Sequence, residues 1–307
     1  MALADRTKTA LDESRMLMLG AQILLGFQFQ APFQDGFPAI SSGEKTAEVA
    51  VLGLIILVVG LLITPSAHHR IAEDGEASQQ FIRFLTRVSL STLPIFAIAI
   101  GLDLGIAGMR IGGPAAGIAG ALLGVVLPLA IWFGPVLVHR PHEDEDMSTS
   151  DTKTPLDAKI DYVLTEARVV LPGAQALLGF QLAIVLSNGF QQLSSNLKVT
   201  HGAALALIAL STALLIAPAA YHRLVYAGRN EPEFQRLASR LLLIATVLLA
   251  LGLATDTYLV VSKIVDDARL ALWSAGTVAL VLLGLWHIWP WWRRAVACAM
   301  TMVGPRI

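Results

Sequence analysis

Apolar residues in this chain gather in long blocks separated by short polar clusters. The runs 49-VAVLGLIILVVGLLITPSA-67 and 270-LALWSAGTVALVLLGLWHIWPWW-292 contain no Asp, Glu, Lys or Arg. A bilayer's hydrocarbon core is about 30 Å thick and takes about 20 apolar residues as helix. Lipid offers no hydrogen bonds, so a crossing segment must satisfy its own backbone, which a helix does. The pattern predicts eight transmembrane helices, at roughly 16–33, 49–67, 84–108, 114–138, 169–187, 203–221, 239–262 and 270–291. The first and fifth are short and carry glutamines: Gln22, Gln28 and Gln30, then Gln175 and Gln181. Such residues either bond across helices inside a bundle or line a polar path. At 100° per residue Gln22, Gly26, Phe29 and Phe33 share one face, which is expected to point inward. Gln28 points elsewhere and needs a partner of its own.

The polar positions also repeat. "GAQILLGFQF" (20–29) and "GAQALLGFQL" (173–182) agree at eight of ten positions. At the same 153-residue offset, residues 11–103 align with 164–256 without a gap, and 35 of 93 positions are identical. Apolar identity costs little in membrane helices, so the polar matches carry the information. Glu13 matches Glu166, Arg15 matches Arg168, Gln22 matches Gln175, and His69-Arg70 matches His222-Arg223. Arg83 and Arg87 match Arg236 and Arg240, and Asp103 matches Asp256. The chain therefore reads as a tandem duplication of a four-helix unit, 1–138 and 166–292. A charged link, 139–165, joins the units, and a tail, 293–307, follows. Four is even, so the units share one orientation and form parallel repeats, unlike the inverted repeats of many transporters. The expected fold class is an all-α integral membrane protein. The link, beginning "HRPHEDEDMSTSDTKTP", has the composition of a solvated tether.

Composition agrees: 55% of residues are hydrophobic and only 15% charged, where soluble domains carry about a quarter. The net charge of −1 is uninformative about nucleic acid, and no basic stripe beyond the membrane flanks points to one, so no nucleic-acid partner is expected. The single Cys298 excludes an intramolecular disulfide and any cysteine metal cluster. Of the Lys and Arg residues, 17 fall on the face holding both termini and the link, and five on the other. Positive-inside bias puts both termini in the cytoplasm. The N-terminal "MALADRTKTALDESR" lacks the apolar core of a cleavable signal, so the first span is expected to stay in place.

The repeated polar residues divide by depth. Glu13, Arg15, His69, Arg70, Arg83, Arg87 and their counterparts flank the cytoplasmic helix ends, whereas Asp103 and Asp256 fall near the outer ends. In "ITPSAHHR" (63–70) and "IAPAAYHR" (216–223) a proline is expected to bend or stop the helix. The His-Arg pair then suits the negative end of the helix dipole, and the arginine can snorkel to lipid phosphate. Facing one another across the repeat axis, His69 and His222 would instead ligate one haem or metal ion, or relay protons. Glu13 pairs with Arg83 or Arg87 in an ion-pair collar, or marks a gating or substrate-anion site. Asp103 and Asp256 are interface caps or the outer mouth of an ion path. "GPAAG" (113–117) and "GALLG" (120–124) give the fourth helix faces that allow close helix approach. "LWHIWPWWRR" (285–294) reads as an interfacial aromatic belt, with His287 packed or facing lipid.

The stretches "EARVVLPGAQALLGFQL" (166–182), "NGF" (188–190) and "IAPAAYHRLVY" (216–226) resemble a family of small bacterial four-helix membrane proteins of unknown function. Its motif reads P-x-A-[YH]-H-R. The first half, with "ESRMLMLGAQILLGFQFQAPFQDGF" (13–37), resembles a more diverged copy. Gly36 and Gly189 stand where the family carries a basic residue, so any role for that charge is missing here. The resemblance implies a fusion of two units in the bacterial inner membrane and no established reaction. Three functions compete. The first is a small ion or proton transporter or channel using Gln22, Gln175, the His-Arg pairs, Glu13, Glu166 and the aspartates. The second is a haem-binding or accessory subunit of a membrane complex or homo-oligomer. The third, a lipid-acting enzyme, lacks any G-x-S-x-G, H-E-x-x-H or P-loop motif.

Overall fold

The computed structural model describes residues 3–138 and 154–302. It is all helix, with no strand among the described residues. Among the described residues seven helices are long and apolar enough to cross a membrane. The main elements are α1 (Leu3–Gln30), α2 (Ser42–Ile71), α3 (Gln79–Val138), α4 (Leu156–Val185), the short α5 (Asn188–Gln191), α6 (Ser195–Leu224) and α7 (Pro232–Val265). Then α8 (Ala268–Leu283) runs through one π-helical turn into α9 (Trp289–Met302). Helix α4 begins inside the stretch read as a link. The acidic cluster of that link lies outside the described residues.

The 60 residues of α3 are broken at Gly112 (φ −138°) and Gly113 (φ 73°, ψ −163°), both outside helical geometry. The second conformation suits only glycine. There the chain folds back on itself: Gly101 lies against Gly124, Gly105 against Ala121, and Gly108 against Ala116. Phe96 and Trp132 stack across the same hairpin at 6.3 Å. A Cβ on Gly124 would come within 2.7 Å of the Gly101 backbone. The small residues of "GPAAG" and "GALLG" thus serve the contact between the two arms.

Helices α2 and α6 run past Pro65 and Pro218 rather than stopping there. A proline removes one backbone bond, and the flanking turns carry the helix across it. Both end instead on a repeated left-handed pair, Asp74-Gly75 and Ala227-Gly228. Gly75 N–H donates to the His69 carbonyl at 3.0 Å, and Gly228 N–H to that of His222 at 2.8 Å. The backbone therefore caps itself, which leaves both His-Arg side-chain pairs free for other work. Each histidine ring rests on the same phenylalanine of the following helix, Phe81 at 4.3 Å and Phe234 at 4.7 Å.

Helices α1 and α4 lie side by side along their lengths. Three contacts mark the seam: Lys8 with Asp161 at 2.6 Å, the rings of Phe27 and Phe180 at 4.6 Å, and Asn188 with Asp35 at 3.3 Å. In each, a residue meets the one 153 positions further on. Contact in the same order at both ends requires the two helices to run parallel. The apolar core surrounds this seam, with Leu25, Phe29, Ile55, Leu62, Val170 and Leu249 all buried. Trp286, placed by the sequence in the interfacial belt, is core instead: its indole donates to the Gly60 carbonyl at 2.8 Å. Trp291 and Trp292 do stay exposed.

Candidate functional site

At the C-terminal end of α2 the first His-Arg pair is closed by an acid from the other half of the chain. Glu166, on α4, takes His69 Nδ1 at 2.7 Å on Oε1 and Arg70 Nη2 at 3.1 Å on the same oxygen. Arg70 Nε donates to its Oε2. Exposure is 0% for His69 and Glu166 and 5% for Arg70. An arginine fork on a buried carboxylate is among the stronger polar contacts. Desolvation of this kind is costly and rests on these bonds; of the guanidinium nitrogens only Nη1 has no partner among the described residues. The second ring nitrogen of His69 reaches the Glu76 carbonyl at 3.1 Å, and Tyr162 packs edge-on at 5.6 Å.

The loop below is strapped to the start of α4. Lys159 donates to the Glu76 carboxylate at 2.6 Å, and the Thr154 backbone N–H donates to it at 2.9 Å. Burial works against the charged form of Glu76, but these bonds outweigh it and hold the carboxyl below its usual range. Its neighbour Glu73 is pushed up, chiefly by burial.

At the opposite end of the helices a second motif recurs in both halves. Gln28 donates to Asp103 at 2.7 Å, and Gln181 donates to Asp256 at 2.7 Å. Asp103 is the separate partner that Gln28 required. Neither aspartate has a cation bonded to it among the described residues. The clusters differ in their third member: Glu48 stands near Asp103, whereas His201, at the matching position of the second half, bonds the Gln181 carbonyl at 3.0 Å. The second cluster is sealed, with Asp256 only 2% exposed, while Glu48 and Asp103 are half-buried.

Gln22 lies between the two levels on the α1–α4 seam. It is fully buried against Gly173, where an added Cβ would overlap it at 1.5 Å. Neither amide atom of Gln22 has a hydrogen-bond partner among the described residues. Six residues separate Gln22 from Gln28 on α1, and seven separate Gly173 from Glu166 on α4. At 1.5 Å per residue these are steps of about 9 and 10 Å. Along α1, a buried amide therefore lies between the charged cluster around Glu166 and the Gln28–Asp103 pair, which is formed toward α3.

The repeat counterparts of these residues assemble much less. Gln175, Glu13, Arg15 and Arg223 are exposed, and no ion pair joins Glu13 to Arg83 or Arg87 among the described residues. His222 is half-buried, and its one hydrogen bond among the described residues goes to Asn230, at 3.3 Å. His69 and His222 share no partner. His69, with both ring nitrogens on oxygen acceptors, offers none to a haem or metal unless the Glu166 bond breaks. Among the described residues no group of three His, Cys, Asp or Glu side chains is placed to hold a metal ion. His287 is packed, its Nε2 3.3 Å from the Thr246 hydroxyl. Identity between the halves could not point to Glu48 and His201, because the position differs in them. Lys159 and Glu76 fall outside every sequence motif.

The helices and their polar seam define a multi-pass, all-helical membrane protein. The chain belongs to a family of unknown function, DUF6328, whose model matches it twice in tandem, over residues 3–139 and 150–290. No curated protein and no solved structure matches it.

Proposed function

We propose that the chain is an eight-crossing protein of the bacterial cytoplasmic membrane that moves protons or small cations along the α1–α4 seam between its halves. In this reading two parallel four-helix units, 1–138 and 166–292, are joined by 139–165, and both termini are cytoplasmic. The hairpin at Gly112-Gly113 supports counting α3 as two crossings. The contacts between positions 153 apart support a parallel axis, and the 17-to-5 basic asymmetry supports the orientation.

The observation that carries the transport reading is Gln22. An unsatisfied buried amide is costly, and natural structures seldom keep one without water or function. Water at Gln22 would satisfy it, and a file of several waters passing it would join the Glu166 cluster to Asp103. Intramembrane acids are functional sites by default, and here an acid stands at each end. The test is ion flux into proteoliposomes of the purified chain, read with internal proton- and sodium-sensitive dyes under an imposed potential. Wild type should conduct, while Gln22→Leu and Asp103→Asn should each lose most of the flux with the melting curve retained. Wild-type flux equal to protein-free vesicles defeats the proposal, as does undiminished flux in the folded Gln22→Leu protein.

A further inference from the structure

We infer that the cleft between α4 and α6 holds one anionic phospholipid, its phosphate on Arg168, His222 and Arg223. This rests on the membrane reading and is independent of ion movement. The cleft has a volume of about 280 Å³, with Leu171, Leu215 and Pro218 among its apolar walls and the three basic side chains lining it with them. It lies at the helix ends that the basic asymmetry assigns to the cytoplasmic leaflet, where anionic headgroups concentrate.

The first half shows what a His-Arg pair at this position binds. There a carboxylate, Glu166, accepts from both the imidazole and the guanidinium. In the second half the repeated pair is present, a further arginine joins it, and no described carboxylate bonds Arg168 or Arg223. Glu13, the counterpart of Glu166, is exposed on α1. An anion from outside the chain therefore takes the place that Glu166 fills in the twin site. A phosphate suits two guanidinium forks. The apolar walls beside it suit an acyl chain and are of no use to a free inorganic ion, which selects the lipid.

The experiment is native mass spectrometry of the full chain in detergent, titrated with phosphatidylglycerol or phosphatidylcholine. One phosphatidylglycerol should be retained per chain, and phosphatidylcholine should bind much more weakly. Changing Arg168→Gln and Arg223→Gln together should weaken retention by about tenfold or more. Ala219→Trp, which fills the apolar cleft and leaves all three basic groups in place, should weaken it too. Both variants alter exposed positions, and melting curves should confirm that they fold. Equal binding of the two lipids, undiminished phosphatidylglycerol binding in both variants, or displacement by inorganic phosphate alone would overturn the assignment. So would a lipid-free dimer that Glu13→Gln dissolves, since a second copy would then supply the anion.

Discussion

His69 and His222 end the same helix of the repeated unit, rest on the same phenylalanine and precede the same arginine. Their surroundings are opposite. His69-Arg70 is sealed beneath Glu166 and has every ring nitrogen occupied, while His222-Arg223 faces an open cleft. The same contrast runs up the seam: Gln22 is buried and Gln175 exposed, and Glu166 is buried and Glu13 exposed. Duplicated residues have thus divided their labour. At positions 22 and 13 of the unit one copy builds an interior and the other is released to the surface, while both copies of Gln28 stay buried.

The comparison is open to direct attack, and the largest effect should come from its central acid. Glu166→Ala leaves Arg70 buried without a counter-charge, and losing one partner of a buried pair costs about 3–5 kcal/mol. Thermal unfolding in detergent should show a large drop in Tm, whereas Glu13→Ala should leave Tm in place. Equal losses would mean that the halves are alike after all.

A smaller difference should separate two glycines. Gly173 and Gly20 occupy matching positions, but only Gly173 has a side chain pressed on it. Gly173→Ala must displace Gln22 from its root, since the new Cβ would come within 2.5 Å of the Gln22 Cβ. Overpacking of this kind costs about 1–3 kcal/mol. Gly20→Ala meets only Phe96 at 4.0 Å and should be neutral or mildly stabilising. Chemical denaturation of both variants checks the ordering, and Gly20→Ala proving the worse would refute the assigned seam.

The smallest effect concerns pH. Glu76 is held below its ordinary value of 4.5, so its contribution is complete above that pH and is lost as pH falls through the lower folded value. Arg229 stands at the matching position of the second half, so no counterpart exists there. Lys159→Ala should lower Tm slightly at pH 7 and not at all once pH falls well below the folded value. A constant difference across that range would show that Lys159 acts through packing alone.

Much of this architecture was legible in the residues. Apolar length gives the crossing helices, and helical spacing put Phe29 and Phe33 inward and set Gln28 apart from Gln22. The glycine faces near 113–124 announced a close contact without naming Gly101, Gly105 and Gly108 as its other side. What stayed hidden is environment. An alignment of 13 with 166 says that both are glutamate; burial of one and exposure of the other arises only when the halves pack. Identity also discards positions where the copies differ, and Glu48, His201, Lys159 and Glu76 were lost that way. The prolines misled for a local reason: one missing backbone bond does not end a helix that packing and a glycine cap hold beyond it.

The contacts along the seam have an evolutionary reading. In a dimer of identical units, a residue on a twofold axis must meet itself. Lysine would face lysine at position 8, and aspartate would face aspartate at position 35. Only the aromatic position tolerates that arrangement, and there the copies remain the same, Phe27 and Phe180. At the other two, Lys8 faces Asp161 and Asp35 faces Asn188. Joining two genes into one lets each half mutate alone, so like-with-like contact on the axis can be replaced by complementarity that one sequence meeting itself there cannot encode.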